Sequence, residues 1–182
     1  MRIICVKLLA MKLCLRDIDA FPARVCLKAD PDSFKINYDG VFGTRQVEVD
    51  LDIQKSGDEF FCQADVRGIV VLECARCLEH YEAELTSIIN FIVCSKATYD
   101  EFRKEAEDDE TYIFYRGEEQ AVDISEIVRQ SIMLAVPMMP ICSDDCKGLC
   151  PTCGINLNLH DCDCSQEHID ERWEGLRDLR DR

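Results

Sequence analysis

Few basic residues, few histidines and no long apolar run mark this sequence before anything it contains does. Only 21 Lys and Arg stand against 36 Asp and Glu, a formal charge of −15. That balance excludes a protein that coats nucleic acid electrostatically, because phosphate binding needs clustered cations. No run of 18 apolar residues exists, which excludes a helical membrane span. Residues 1–12 are the sole export-signal candidate. Lys7 and Lys12 interrupt their apolar run, and no small-residue cleavage site precedes Arg16-Asp17. A Ser/His/Asp order, a phosphate loop, an HExxH segment and a framed acid pair are also lacking, so no enzyme is expected.

What is abundant is cysteine: 13 in 182 residues. An odd number cannot pair completely, which leaves a secreted disulfide framework or an intracellular metal site with additional thiols. Without an export signal the chain is expected in a reducing cytosol, where dense cysteines read as metal ligands. A hydrophobic content of 47% supports a true core. The length fits one domain, or one domain with a small appended module.

The pattern from Met11 to about residue 93 is period two. Val47, Val49, Leu51 and Ile53 alternate with polar residues, as a half-buried strand requires. Phe60, Cys62, Ala64 and Val66 repeat this after Ser56-Gly57-Asp58, a hairpin signal. Gly68 then punctuates the run Ile69-Val70-Val71-Leu72, and Tyr81, Ala83, Leu85, Ile89, Phe91 and Val93 share one strand face. Residues 99–110 are strongly acidic, a solvated loop or exposed helix, or else an electrostatic surface for a basic partner. Residues 123–136 read as a helix, with Asp123 as cap, Glu126 three residues on, and a stripe of Ile124, Ile127, Val128, Ser131, Ile132 and Ala135. Pro137 and Pro140 stop it.

The expected class is therefore α+β. Residues 1–10 are an extension without function, an upstream start or an extra strand turn, with Met11 opening the natural first strand. Residues 11–136 form a mainly antiparallel β domain with a packed helix. Residues 137–164 form a cysteine-rich zinc module. Residues 165–182 form a short amphipathic tail helix, on Ile169, Trp173, Leu176 and Leu179.

Six cysteines lie within 142–164. In Cys150-Pro151-Thr152-Cys153-Gly154 the CxxC spacing lets two thiolates share one ion, and Gly154 supplies the positive φ that follows such a turn. Cys162 and Cys164 complete four sulfurs, enough for tetrahedral zinc, which soft thiolates favour over magnesium or calcium. Cys142 and Cys146 are two ligands short of a site, as are Cys74 and Cys77 far upstream. The economical assignment is two zinc sites: Cys74, Cys77, Cys142 and Cys146 in one, and Cys150, Cys153, Cys162 and Cys164 in the other. One zinc ion is the minimal version. A redox pair and an iron–sulfur cluster are the alternatives, and Cys74 lacks the βαβ setting of the former. His160 is a candidate substitute ligand beside Cys162, and His168 an exposed residue of the tail. Cys5, Cys14, Cys26, Cys62 and Cys94 read as small core hydrophobes. Closed four-ligand sites leave no open position for a substrate.

Three segments carry a resemblance. They are Cys74-Ala-Arg-Cys77-Leu78, then Pro137-Met-Met-Pro-Ile-Cys142, and above all Cys146-Lys-Gly-Leu-Cys150-Pro-Thr-Cys153-Gly-Ile-Asn156-Leu-Asn158 with Cys162-Asp-Cys164. Together they resemble the YceD family of large ribosomal RNA subunit accumulation proteins, over residues 11 to 180 and including Asp170-Glu-Arg-Trp173, Leu176 and Leu179. The resemblance implies a role in synthesis, processing or stability of large-subunit (23S) ribosomal RNA. It supplies a pathway rather than a reaction. Some family members keep the first CxRC pair and lack the later knuckle, which fits two separable sites.

A zinc ion held by four thiolates carries about −2, so two such sites move the chain to about −19. The expected partner is accordingly a basic ribosomal protein or assembly factor, bound by a zinc-stapled adaptor. The alternatives are direct binding of large-subunit RNA through Arg67, Arg76 and Lys147 flanking the first site, aided by Arg172, Arg177 and Arg180, or a thiol- or zinc-handling protein.

Overall fold

Alternating apolar side chains in 47–53 and 60–66 can be buried together only if the two runs pair, and they do so within the two longest strands. The computed structural model describes residues 3–8, 11–29, 34, 36, 39–102, 112–115 and 120–164. In chain order these form β1 (Ile3–Leu8), β2 (Lys12–Cys14), a 3-10 turn (Leu15–Asp17), β3 (Ala23–Ala29), β4 (Val41–Ser56), β5 (Glu59–Glu73) and β6 (His80–Cys94). There follow α1 (Lys96–Phe102), β7 (Tyr112–Phe114), β8 (Ala121–Asp123) and α2 (Ser125–Ala135). The fold is α+β.

The main sheet has the order β1-β3-β4-β5-β6-β7. Its three central pairings are antiparallel, as the period-two runs with short turns demand. Gly57, at φ +61°, turns β4 into β5 at the expected place. At both edges the pairing is parallel, β1 with β3 and β6 with β7, which local pattern does not reveal. Residues 3–8 of the expected extension thus pair with Arg24–Ala29, all of β3 but its first residue. The Met11 segment does become a strand, but β2 pairs with β8 in a separate two-stranded ribbon. The backbone of Met11 binds both Ser125 Oγ (3.2 Å) and the amide of Ile124 (2.9 Å), tying this ribbon to the helix start.

One sheet face is the core. Val47, Val49, Leu51 and Ile53 of β4, Phe60, Ala64, Val66, Val70 and Leu72 of β5, and Phe91 and Val93 of β6 are buried there. Helix α2 covers β5 and β6 with Val128, Ser131 and Ile132. Gly68 does not punctuate the strand: β5 runs through it, and a Cβ there would lie 3.2 Å from Ile132 Cδ1. The glycine admits the helix rather than ending the strand. The helix begins at Ser125, because β8 holds Asp123, whose Oδ1 accepts the Ser125 N–H at 2.9 Å.

The opposite face carries ion pairs: Arg24 with Asp52 (2.7 Å), Arg67 with Asp50 (3.3 Å), and Lys28 with Glu48. Cys62 and Cys94 are buried as expected, and burial pushes the Cys62 thiol up to about 12. Cys14 and Cys26 correct the core assignment. They are half-buried and alternate with Leu13 and with Val25 and Leu27, so they sit on the wrong side of their strands to join the core. Cys5 lies in β1. Among the described residues no helix is long and apolar enough to cross a membrane. Within 99–110, α1 takes the first residues and 103–110 lie outside the described residues, as do the tail 165–182 with His168, Arg172, Arg177 and Arg180.

Candidate metal centres

The connection from β5 to β6 is a turn built around Cys74 and Cys77. The Cys74 amide donates to the Glu79 carbonyl (2.9 Å), and the Leu78 amide donates to the Cys74 carbonyl (2.9 Å). Leu78 closes the turn at φ +61°, the left-handed region. Downstream, the Cys150 amide donates to the Ile155 carbonyl and the Gly154 amide to the Cys150 carbonyl, both at 2.8 Å, with Gly154 at φ +74°. The two CxxC segments therefore form the same knuckle twice. In each, backbone N–H groups converge on the first cysteine's sulfur, a local field that favours thiolate.

The chain leaving α2 crosses to the first knuckle. The Pro140 carbonyl accepts the Ala75 N–H at 2.7 Å, and the Cys142 N–H points at Cys74 Sγ (3.4 Å). This delivers Cys142 and Cys146 to Cys74 and Cys77. The sulfurs of Cys74 and Cys146 are 3.8 Å apart, as are those of Cys77 and Cys142. All four lie within 4.8 Å of one another, and so do those of Cys150, Cys153, Cys162 and Cys164. A disulfide requires sulfurs about 2.05 Å apart. A tetrahedral centre with metal–sulfur bonds of about 2.3 Å has sulfur–sulfur edges of about 3.8 Å. Both groups could hold a metal ion, and the two 3.8 Å spacings in the first equal the edge of such a tetrahedron.

Electrostatics follow the same geometry. Burial opposes ionisation of Cys74, but the amides of Cys77, Arg76 and Cys142 outweigh it and bring the thiol down to about 6. The amides of Cys153 and Thr152 bring Cys150 down to about 6 as well. Cys164 is pushed up to about 12 by the neighbouring sulfur of Cys153. In the first group Cys74 and Cys146 are held below the usual thiol range while Cys77 and Cys142 are pushed above it. In the second Cys150 is held down while Cys162 and Cys164 are pushed up, a repulsion that a divalent cation would neutralise.

The two groups are joined by the segment between them. The Leu149 amide donates to the Arg76 carbonyl at 3.1 Å, and Gly148, at φ +73°, passes so close that a Cβ would lie 3.0 Å from that oxygen. Asn156 Oδ1 accepts the backbone and side-chain N–H groups of Asn158 (3.0 and 2.9 Å). Asn158 in turn accepts the Lys147 N–H (2.8 Å) and donates Nδ2 to Cys146 Sγ (3.3 Å). That bond helps hold the Cys146 thiol below its usual range. A donor of this kind orients a ligand and tunes its charge. Gly148, Asn156 and Asn158 escaped the residue-by-residue reading, and only their place in the resembling string singled them out.

The three cationic candidates separate. Arg67 does not flank the first cysteine group: it lies in mid-β5, seven residues before Cys74, and so about 23 Å away along an extended strand. It is paired with Asp50. Arg76 sits inside the first knuckle, its guanidinium donating to the carbonyls of Cys146 (3.1 Å) and Asp144 (3.4 Å). Lys147 is exposed in the joining segment. His160 is exposed and belongs to neither four-sulfur group. His80 stacks on Phe42 at 4.0 Å.

Comparison with known sequences finds a match over residues 62–180 to the family described as large ribosomal RNA subunit accumulation protein YceD. The chain belongs to the YceD family. The match takes in most of β5, with β6, α2 and both cysteine groups, and starts later than the residue-11 limit of the resemblance. A chloroplastic large ribosomal RNA subunit accumulation protein YCED homolog 1 of Arabidopsis thaliana is 27% identical over 156 residues, 74% of this chain and 49% of that protein. The Zea mays homolog of the same name is 33% identical over 69 residues, 37% of this chain and 22% of that protein. An uncharacterised protein of Mycobacterium tuberculosis is 27% identical over 134 residues, 73% of this chain and 61% of that protein. The chain spans about half of the Arabidopsis protein's length and about three-fifths of the mycobacterial one's. No solved structure matches.

Proposed function

We propose that this chain is a non-enzymatic ribosome biogenesis factor that supports accumulation of large-subunit ribosomal RNA as a zinc-stapled adaptor for a basic protein. The observation that carries the reading is the pair of four-thiol groups, joined through Arg76, Gly148 and Asn158, in a chain of the YceD family. Eight sulfur ligands without nitrogen or oxygen suit zinc. Cys74, Cys77, Cys142 and Cys146 would hold one ion, and Cys150, Cys153, Cys162 and Cys164 the other. Bound zinc would supply cross-linking rather than chemistry, because four protein ligands leave no open position.

The adaptor reading rests on charge. Residues 137–164 carry Asp144, Asp145, Asp161 and Asp163 against Lys147 alone. Two tetrathiolate centres would each add about −2. Such a surface repels phosphate and attracts cationic protein. The test is affinity capture of the native, metal-loaded chain with and without nuclease, alongside metal analysis. About two zinc ions per chain and a basic ribosomal protein retained after nuclease are expected. Loss of every partner on RNA digestion, with a steep salt dependence of binding to a ribosomal RNA fragment, would replace the adaptor with a direct RNA binder.

A further inference from the structure

The segment Pro137-Met138-Met139-Pro140 has more apolar exposure than its position between a core helix and a buried cysteine group requires. Met138 is fully exposed, Met139 is 72% exposed, and Leu134, one helical turn earlier, is 87% exposed. Two more exposed leucines flank the same groups: Leu78 closes the first knuckle, and Leu159 follows the Asn158 that binds Cys146. The Pro140 carbonyl is fixed to Ala75 of that knuckle, so the two methionines and Leu78 share one end of the molecule. Single exposed apolar residues need no explanation, but several around one end mark an interaction site.

The display is also held in place. A proline on each side restricts the backbone of the methionine pair, α2 anchors one end and the first knuckle the other. A rigid backbone loses little entropy on binding, while the unbranched methionine side chains adapt to varied apolar shapes. Exposed acids adjoin these segments along the chain: Glu79 follows Leu78, Asp144 and Asp145 follow Pro140 within five residues, and Asp161 follows Leu159 by two. Of the nearby cations, Arg76 is engaged with the carbonyls of Cys146 and Asp144, and Lys147 is exposed.

We propose that Leu134, Met138, Met139 and Leu78 form the docking surface of the adaptor, and that its occupant is a basic protein segment with apolar side chains set among Lys and Arg. This rests on the adaptor reading and assigns its contact surface. An RNA strand would bring phosphates to the acids and no aliphatic side chains to the methionines. A second copy would bring another −15 to the same face. A basic amphipathic segment satisfies both features at once.

The test uses the metal-loaded full chain and three labelled probes: a synthetic Lys/Leu amphipathic peptide, a Lys/Ser peptide of equal charge, and a large-subunit ribosomal RNA fragment. Burying two methionine side chains predicts that the Lys/Leu peptide binds at least about tenfold tighter than the Lys/Ser peptide. The double variant M138S/M139S should lose that advantage with its zinc content and thermal midpoint unchanged. Ile88→Ser, an exposed substitution on the sheet, should leave binding as it was. Equal binding of the two peptides, an M138S/M139S variant that binds normally, or tighter binding of the RNA would each overturn the surface. A nuclease-resistant basic partner still captured by M138S/M139S would remove this surface and leave the adaptor reading standing.

Discussion

The two knuckles have one backbone and two settings. The first, residues 74–79, closes the β5–β6 hairpin, whose strands run most of the sheet's length and carry much of its core. The second, residues 150–155, closes a hairpin with a single bridge, Leu149 to Asn156. Three cysteines of the first group are buried and only one of the second. Turn geometry sets the local arrangement of the sulfurs, whereas the attached elements set how far the loss of a centre is felt. The first group adjoins the strands that carry the core, while the second is tied to the rest of the described residues through the Gly148–Asn158 junction.

The sharpest way to break this comparison is to remove one centre at a time. Cys77 and Cys142 are 65 residues apart, so a metal ion between them closes a long loop. The variant C74S/C77S should lose one of two metal ions and lower the thermal midpoint by about 10 °C or more. The variant C153S/C162S should lose one ion too, but shift the sheet's unfolding, followed by circular dichroism, by less than half as much. Equal shifts would mean that the sheet depends on both centres alike.

A smaller effect tests whether the two settings communicate. Gly148 needs both its positive φ and its missing Cβ, because Arg76 O would sit 3.0 Å from that atom. Gly148→Ala should cost about 2–3 kcal/mol in denaturant unfolding, the sum of left-handed strain and a close backbone contact. Sequential chelation should then release metal from the second site more readily, since Leu149 and Leu157 both hang on this junction. A wild-type midpoint in the Ala variant would make the two centres independent modules.

Much of this arrangement is legible in the sequence, and what is not shares a cause. The grouping of eight sulfurs into two fours follows from pair spacing, and Gly154's positive φ follows from the turn a CxxC segment makes. The β4–β5 hairpin follows from alternation and a turn residue. The failures are non-local. The uninterrupted β5 separates Arg67 from Cys74, and Gly68 reads as a break because Ile132, which fills the space beside it, lies 64 residues away. Cys14 and Cys26 went astray on strand parity, where a shift of one residue moves a side chain to the other face. The parallel edges depend on where distant segments return, which no local period encodes. Asn158 is the most instructive, since its contact with Cys146 joins the two cysteine groups and nothing in its residue type announces it.

The smallest predicted effect separates backbone from side chain within the shared turn. Position 78 is Leu at φ +61° and position 154 is Gly at φ +74°. Left-handed backbone costs an ordinary residue about 1–2 kcal/mol, so Leu78 is strained where Gly154 is not. A Cβ on Gly154 would meet nothing within 4 Å, so Gly154→Ala tests the backbone alone. It should weaken the second centre by about 1 kcal/mol, roughly a fivefold loss in metal competition. Leu78→Gly relieves similar strain, but the glycine costs about 0.5–1 kcal/mol in added unfolded-state freedom, so stability should change by less than about 1 kcal/mol. The first turn therefore tolerates the exchange that the second resists. If Leu78→Gly also weakens binding of the Lys/Leu peptide while stability holds, the side chain at 78 serves the docking surface. Unchanged peptide binding would confine that surface to the methionine pair and the end of α2.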